Sequence, residues 1–538
     1  MKVSRKIFVI LLFVLASICG AQTTVEVWKQ VELTFHSSKC YDKPFIDVEL
    51  FAVFTNNTGD TISRPAFWDG GDTWKVRFSP TKIGRWNYKI TGEKVIHFQG
   101  NKSGYVNAVK YKGKLSIYKN GFLKISPNKR HFVHDNGMPF FYLADTHWFL
   151  PLEKWDECNA PNCRSQFKFM VDKRAQQEFT VYQVQTNGIK LVEDSVTSVD
   201  VEAFRDIDRK FDYLVSKGFV INTSIGSAHN YALVLGKKGA ERLAKYWVAR
   251  YGAYPVIWMT AQEVDLDKHK YLETWKAAAR TIEKYDDYHH PHTAHLWDNS
   301  NAKFFNEDGW HNFHMIQAGH IIWGGGTQTK EFYKKYFENK PTKPMLEAEA
   351  NYEDLGKDKK CTTTDIRNAA YKSILCGSFG FGYGVQGIWQ NCYTEKECGC
   401  CMDWGIITWY DGLFAPGGNQ MQHLKKFFTG IKWNELEPRF DSTDWIEVNS
   451  NDTKEKEKVV LSTISNEKYI LYIYSENEIN TVLKNLDAAK KYEAKWFDPR
   501  KGGFMNVKES PVIGSTIWSV PKKPSKEDYI LLLYSTKN

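Results

Sequence analysis

The feature that most constrains the fold is a series of short apolar segments that alternate with amphipathic helical segments between residues 118 and 435. Repeated strand–helix units predict a parallel sheet, because a parallel neighbour needs a long crossover connection. Eight such units over about 310 residues predict an α/β fold of the (β/α)8, or TIM barrel, type. The predicted strands are residues 140–143, 179–184, 219–225, 256–260, 292–297, 313–317, 344–349 and 381–389.

A doubly wound open sheet is the alternative arrangement of the same units. Its nucleotide-binding version would carry a G-x-G-x-x-G sequence after the first strand, or a P-loop, and the sequence contains neither at that place. The barrel is therefore the predicted fold, and no cofactor is expected.

The regions that flank the barrel show the two-residue alternation of half-buried strands. Residues 46–54 alternate in this way, and residues 459–464 and 469–474 flank a turn-like Ser-Asn-Glu-Lys tetrad. Short strands at this spacing predict a β-sandwich on each side. The predicted organisation is a leader at 1–21, an N-terminal sandwich at 22–117, the catalytic barrel at 118–435 and a C-terminal sandwich at 436–538.

The first 21 residues have the composition of a secretory signal. A positively charged start precedes an apolar run at residues 7–18, and small residues then precede a cleavage site before Gln22. Cys19 allows a lipoprotein signal as the alternative, although Ile18 is an unfavourable residue before a lipidated cysteine. No later segment has the length and apolarity of a transmembrane helix. We expect an exported protein located in the periplasm, at the cell surface or outside the cell.

Charge and aromatic content narrow the class of partner. The net charge is +9, but the lysines are scattered and no basic helix is interleaved with stacking aromatics, so nucleic-acid binding is not expected. Aromatic residues make up 15% of the chain, which in an exported protein suits the flat apolar faces of sugars.

The chain has ten cysteines, and nine remain once the leader with Cys19 is removed. An exported protein matures in an oxidising compartment, so disulfides are expected, and the odd number favours at least one free thiol. Their pairing does not follow from the sequence. Neither the cysteine cluster at residues 392–401 nor the histidines at residues 289–295 have the spacing of a zinc site, so no metal is expected.

Two carboxylates follow predicted strands at the end where a barrel places its chemistry. Glu263 follows the fourth strand, and Glu349 ends the seventh. Glycoside cleavage needs two carboxyl groups, one to protonate the leaving oxygen and one to attack the anomeric carbon or activate water. Glu347 competes with Glu349, because residues two apart share a face of a strand. Glu349 is preferred because it lies nearer the mouth.

Other polar and aromatic residues at strand ends are candidates for binding substrate at the same mouth. As a set they resemble a sugar subsite, in which hydrogen-bonding groups surround an aromatic platform. The candidates are Asp145, His147, Trp148, Asn187, Gln262, His295, Gln317, His320, Tyr352, Tyr383 and Trp389, with His229 after the third strand.

Several segments, in chain order, resemble the motifs of the apiosidase-like barrel family, which includes glycoside hydrolase family 140. Residues 141–148 (FYLADTHW) resemble F-x-L-G-D-T-x-W, and residues 258–263 (WMTAQE) resemble W-x-x-G-G-D. Residues 349–353 (EANYE) resemble E-P-x-Y-E, and residues 383–389 resemble Y-G-x-x-G-x-W. The flanks resemble the sandwich that often precedes such barrels and a C-terminal sandwich named for collagen binding.

The resemblance implies a secreted glycoside hydrolase that acts on an oligosaccharide or polysaccharide, such as plant cell-wall or pectic side chains. Carried over by motif, Glu263 is the acid/base and Glu349 the nucleophile, and their place on strands four and seven implies a retaining mechanism. Glu263 departs from the family's Asp, and residues 261–262 are Ala-Gln where the family has Gly-Gly. The longer side chain bears on the apiosyl specificity of the family.

Two other functions fit the same chain: a non-catalytic exported protein that binds carbohydrate or collagen, and a structural module of the cell surface. The pair of Glu263 and Glu349, within motifs in the family's order, favours the enzyme. The sequence leaves open the sugar, the linkage, exo or endo action and the oligomeric state.

Overall fold

The computed structural model describes residues 22–186, 189–192, 196–226, 228–265, 270–297, 299–306, 308–325, 328–440 and 443–536. The predicted leader and Asn187 lie outside the described residues. The helices within these ranges include none that is long and apolar enough to cross a membrane.

The centre of the structure is a parallel sheet that curls into a nearly closed eight-stranded barrel, as the sequence predicts. The strands are β1 (Tyr142–His147), β2 (Val181–Val184), β3 (Val220–Thr223), β4 (Val256–Met259), β5 (His292–Thr293), β6 (His314–Gln317), β7 (Met345–Glu349) and β8 (Ser378–Val385). They pair in the order β5-β4-β3-β2-β1-β8-β7-β6. A parallel bridge between His295 and Met315 brings the two ends of this series together.

Helices connect and cover these strands. They are α1 (Gln166–Gln176), α2 (Val201–Ser216), α3 (Ala228–Tyr251), α4 (Leu272–Tyr285), α5 (Lys330–Glu338), α6 (Thr363–Leu375), α7 (Trp409–Leu413) and α8 (Pro416–Thr429), with 3-10 turns at Leu150–Leu152, Asn299–Phe304, Ile321–Trp323, Met402–Trp404 and Trp433–Glu435. Side chains of Ser165, Asp200 and Thr362 accept hydrogen bonds from the first turns of α1, α2 and α6. These caps satisfy backbone amides that a helix start leaves unpaired.

Two facing sheets precede the barrel. One has the order Gln22–Glu26, Ser103–Val109, Gly84–Thr91, Phe51–Asn56 and Thr61–Pro65, and the other Phe67–Trp68, Thr73–Phe78, Val31–Ser37 and Phe98–Gln99. Phe54 and Phe78 stack between them with ring centres 3.8 Å apart. The alternation from residue 46 overstates the third strand, because Pro44 opens a helical turn at Pro44–Asp47.

Short elements link this sandwich to the barrel. They are the helical turns Val95–His97 and Ser116–Lys119 and a three-stranded sheet of Leu123–Ile125, Phe132–His134 and Pro139–Phe140.

The C-terminal sheets pack in the same manner. One has the order Glu437–Pro438, Val459–Ile464, Lys468–Ile473, Tyr529–Thr536, Lys491–Asp498 and Gly503–Asn506, with Val512–Ile513 beside Lys491–Asp498, and the other Ile446–Asn449, Asn480–Leu483 and Trp518–Ser519, with a helix at Thr453–Glu457. The tetrad at 465–468 joins two antiparallel strands as predicted, and Ser465 takes a left-handed conformation there. The exact domain boundaries remain predictions.

Buried ion pairs fasten both sandwiches to the barrel. Asp208 of α2 lies 2.6 Å from Arg77 of the N-terminal sandwich and 2.7 Å from Arg250 of α3. Arg367 of α6 lies 2.6 Å from Asp528 of the C-terminal sandwich. A buried charge is costly unless it is paired, so each contact stabilises one arrangement of the two parts.

We expect Asp208→Asn to lower the free energy of unfolding by about 3 kcal/mol, because it removes the carboxylate between two buried guanidinium groups. Burial pushes the pKa of Asp208 up, but Arg77 and Arg250 outweigh it and hold the pKa below its ordinary value. Denaturant unfolding measures the change. Glu202→Gln on the same helix is the matched control, since Glu202 is 79% exposed. Equal stability of the two variants would contradict the prediction.

Candidate active site

The two carboxylates predicted from sequence lie at the same end of the barrel. Glu263 follows β4 and Glu349 ends β7, and they are 8% and 4% exposed. Gln317 ends the intervening strand β6 in register with Glu349. Its Nε2 donates a hydrogen bond to Oε1 of Glu263 at 3.3 Å. Gln317 thus connects the neighbourhoods of the two carboxylates.

Glu349 is surrounded by groups that favour its ionised form. Its Oε2 lies 3.0 Å from Nε2 of His295, and its Oε1 lies 3.5 Å from Nε2 of His320. Burial alone would raise the pKa of Glu349, but hydrogen bonding and charge attraction from the two histidines lower it to about 2. At neutral pH this side chain is a buried carboxylate.

Glu263 lies in a tight turn with backbone φ of 52°, the left-handed region that residues with a β-carbon rarely adopt. Backbone hydrogen bonds to His295 hold both sides of this turn, with Ala261 O accepting from His295 N and Val264 N donating to His295 O. The residue that contacts Glu349 therefore also fixes the backbone on which Glu263 stands. Such local strain persists where surrounding contacts enforce it, and it is concentrated at functional sites.

A β-bulge separates Glu347 from the mouth. The register of β6 and β7 shifts so that Ile316 and Gln317 oppose Glu347 and Glu349, which leaves Ala348 as an extra residue. The two glutamates therefore do not share a face. Glu347 accepts hydrogen bonds from Tyr333 of α5 at 2.9 Å and from the backbone of Ala318 at 3.1 Å. Burial raises its pKa to about 8.

Several predicted binding residues line the mouth together. Trp148 donates from its indole to the hydroxyl of Tyr352 at 2.8 Å. Burial and the negative charge of nearby Glu349 raise the pKa of that hydroxyl. The ring of His320 lies 4.5 Å from the ring of Tyr352, and Trp389 lies 5.6 Å from it. These contacts form a continuous aromatic side of the site.

Gln262, which directly precedes Glu263, accepts a hydrogen bond from Gln185. Gln185 is a further member of the site that the sequence analysis did not single out. Its signal was available, because it directly follows β2 as the last polar residue of an alternating V-Y-Q-V-Q segment.

Asp145, His147 and Tyr383 lie elsewhere, between the barrel and its helices. Asp145 lies 2.6 Å from Arg174 of α1 and 2.8 Å from His147, and all three are fully buried. Burial alone would lower the pKa of His147, but Glu153 and Asp145 raise it to about 9. Asp145 and His147 occupy the outward face of β1. Successive side chains of a strand point to opposite faces, so these two point away from the barrel interior.

Tyr383 belongs to the same outer layer, where it donates to Glu353 at 2.6 Å. Asn187 lies outside the described residues, and so does the side chain of His229.

Residues 126–435 match the family described as "Apiosidase-like, catalytic domain". The chain belongs to the apiosidase-like family. Residues 24–93 match a "Domain of unknown function (DUF5060)", and residues 446–534 match a "Putative collagen-binding domain of a collagenase". The resemblance drawn from the sequence motifs is confirmed, and the family makes the protein a glycoside hydrolase.

Solved structures of glycoside hydrolases share this fold. One described as "Glycoside hydrolase" has a TM-score of 0.65 and 22% identity over 79% of this chain and 100% of its own. A family 5 glycoside hydrolase from Bacteroides vulgatus ATCC 8482 has a TM-score of 0.64 and 22% identity over 80% and 95%. A "putative glycoside hydrolase" from the same organism has a TM-score of 0.68 and 16% identity, over 96% of this chain and 100% of its own. None of the curated proteins matches the apiosidase-like chain.

We expect Glu347 and Glu349 of β7 to affect the free energy of unfolding differently between pH 5 and 8. Because folding raises the pKa of Glu347 to about 8, the native state holds its proton, and stability falls as pH rises through this range. In wild type the free energy of unfolding should fall by a few kcal/mol across this range, and Glu347→Gln should remove that fall. Denaturant unfolding at several pH values measures it.

Glu349→Gln is the matched control for this comparison. The pKa of Glu349 is about 2, so its stabilising contribution is lost only as pH falls below the ordinary range of a carboxyl group. This variant should keep the fall between pH 5 and 8. The same pH dependence in wild type and both variants would contradict the placement of Glu347.

Proposed function

We propose that this apiosidase-like protein hydrolyses O-glycosidic bonds in polysaccharide, in particular plant cell-wall or pectic side chains, with Glu263 as acid/base and Glu349 as nucleophile. The observation that carries the proposal is the pair itself. Two carboxylates from the ends of β4 and β7 flank one mouth, and one of them is held ionised by two histidines. Two carboxyl groups across one cleft are what glycoside cleavage needs.

In the first step, Glu263 donates a proton to the glycosidic oxygen as its bond to the anomeric carbon breaks. Glu349 attacks that carbon with its free electron pair and forms a covalent glycosyl-enzyme. The low pKa of Glu349 supports this role, since the nucleophile must be ionised at the working pH.

In the second step, Glu263 removes a proton from a water molecule, which attacks the anomeric carbon and returns the bonding electrons to Glu349. Two displacements give net retention of configuration, which needs carboxyl groups roughly 5–5.5 Å apart. The placement of the carboxylates after strands four and seven supports this course by analogy with related barrels.

The neighbouring side chains position Glu349 in this mechanism. His295 and His320 contact its two oxygens, and Tyr352, whose hydroxyl accepts a hydrogen bond from Trp148, lies near the same carboxylate. Gln317 and the His295 backbone hold Glu263. Export by the leader at residues 1–21 is part of the proposal, since a polysaccharide substrate lies outside the cytoplasm.

We expect Glu263→Gln and Glu349→Gln each to lower sugar release by several orders of magnitude, because each removes one of the two carboxyl groups that the reaction needs. A panel of plant cell-wall oligosaccharides rich in pectic side chains measures the release. Glu347→Gln is the matched control on β7, and it should keep most of the wild-type rate. Full release by Glu349→Gln would exclude it as nucleophile.

A substrate with an activated leaving group distinguishes the two roles. Such a leaving group needs no proton. With an aryl glycoside of the released sugar, Glu263→Gln should therefore recover part of the wild-type rate of glycosyl-enzyme formation. The same aryl glycoside should recover nothing in Glu349→Gln. Equal recovery in both variants would contradict the assignment of acid/base and nucleophile.

We expect His320→Gln to raise the pH at which activity declines on the acid side. Burial raises the pKa of Glu349 and the histidines lower it, so removal of one imidazole moves that pKa up towards its ordinary range. The pH profile of kcat/KM measures the shift. His36→Gln is the control, because this exposed histidine lies in the N-terminal sandwich. An unmoved acid limb would contradict the prediction.

A further inference from the structure

Two large exposed indoles stand beside the mouth, outside the set used in the mechanism. Trp323 follows β6 and is 51% exposed, and Trp404 follows β8 and is 40% exposed. Their ring centres lie 4.6 Å apart with an interplanar angle of 72°. The pair therefore forms a corner of two aromatic surfaces that solvent reaches, which we call the Trp323–Trp404 corner.

This corner is continuous with the candidate active site. The ring of His320, which contacts Glu349, lies 5.3 Å from the ring of Trp323. Trp389 lies 5.6 Å from Tyr352 and 5.9 Å from Trp404. An unbroken series of rings leads from the candidate nucleophile outward to the corner.

The loop that carries Trp404 is held by buried groups. Gln390, in the turn that follows β8, donates to the backbone oxygens of Cys400 and Cys401, both at 2.9 Å. Gln386 donates to the oxygen of Gly405, and Gly356 donates from its backbone to Trp404 at 2.9 Å.

Two disulfides lie in the same stretch, Cys392–Cys398 and Cys400–Cys401. Buried amides and crosslinks thus hold an indole at the surface, where it gains only part of the stabilisation of a buried one.

Exposed, rigid indoles in this place fit a ligand with both apolar faces and hydroxyl groups. A sugar ring has that chemistry, because its C–H face stacks on an aromatic face while its hydroxyls remain solvated or bonded. A binding surface that continues from the catalytic carboxylates would receive the part of a glycan next to the ring whose bond is cleaved.

We propose that the Trp323–Trp404 corner is a second sugar subsite, which binds a further ring of an oligosaccharide chain whose scissile bond lies at Glu263 and Glu349. This inference rests on the proposed function and refines its substrate class. The substrate is a chain of several sugars rather than a single sugar on a small leaving group. Remote binding of this type lowers the barrier to cleavage of the extended substrate.

Substrate length tests the proposal. The panel substrate that wild type cleaves fastest is used in two forms, as the cleaved sugar on a small aryl group and as oligosaccharides extended on either side of the same bond. For Trp323→Ala, Trp404→Ala and the double variant, we expect kcat/KM to fall about tenfold or more on one extended form and to change little on the short form.

Two control variants keep this comparison specific. Trp323→Phe retains an aromatic face and should keep most of the activity on the extended form. Phe504→Ala removes an aromatic residue of the same 51% exposure from the C-terminal sandwich, and it should leave kcat/KM unchanged on both the short and the extended form. A fall of equal size on short and extended substrates, or no fall on either, would overturn the subsite.

A binding measurement separates this inference from the proposed function. Wild type and variants are run through native gels that contain soluble pectic polysaccharide. Retardation that the tryptophan variants lose supports the subsite even if wild type releases no sugar, in which case only the proposed function fails. Hydrolysis with unchanged retardation and no length dependence leaves the function standing and overturns the subsite. A wild type that neither cleaves nor is retarded by any polysaccharide overturns both.

Discussion

Parallel pairing around a closed barrel is the constraint on which the site depends. Because every strand runs in the same direction, all eight end at one rim, and residues more than eighty positions apart in the chain become neighbours there. Glu263, Gln317 and Glu349 come from three different strand ends and meet on this account. Buried ion pairs join the sandwiches to the outer helices of the same barrel.

The barrel uses buried charge in two distinct ways. In the outer layer, the carboxylates of Asp145 and Glu153 offset the positive charges of His147 and Arg174, and all four side chains are buried. At the mouth, Glu349 carries its charge beside two histidines, and the ring of one of them, His320, contacts the exposed indole of Trp323. The first arrangement connects β1 to α1, while the second keeps a carboxylate ionised at the rim of the barrel. Sequence position at a strand end is the same for both, so burial and partners decide between them.

The motifs and periodicity of the sequence were sufficient to predict the fold and to place Glu263 and Glu349 at the same end of the barrel. Eight apolar segments at regular spacing predict the barrel. The barrel in turn brings the strand ends that carry Glu263 and Glu349 to the same rim. The same logic placed Asp145, His147 and Tyr383 at the mouth, although they lie behind the strands. It passed over Gln185, although its place directly after β2 was a usable signal. It also passed over Trp323 and Trp404, because an aromatic residue in a loop carries no signal of its direction.

The sequence by itself determined the order of strands and helices, since this order follows from local hydrophobic periodicity. The family motifs came separately, from the resemblance of short segments to the apiosidase-like pattern. Only the tertiary structure decided which side chain of each strand faces the mouth. The bulge at Ala348 shows why: a register shift between β6 and β7 depends on contacts across the sheet, and it turns Glu347 towards α5 while Glu349 meets His295 and His320. Strand alternation is a local rule, and pairing between distant strands overrides it.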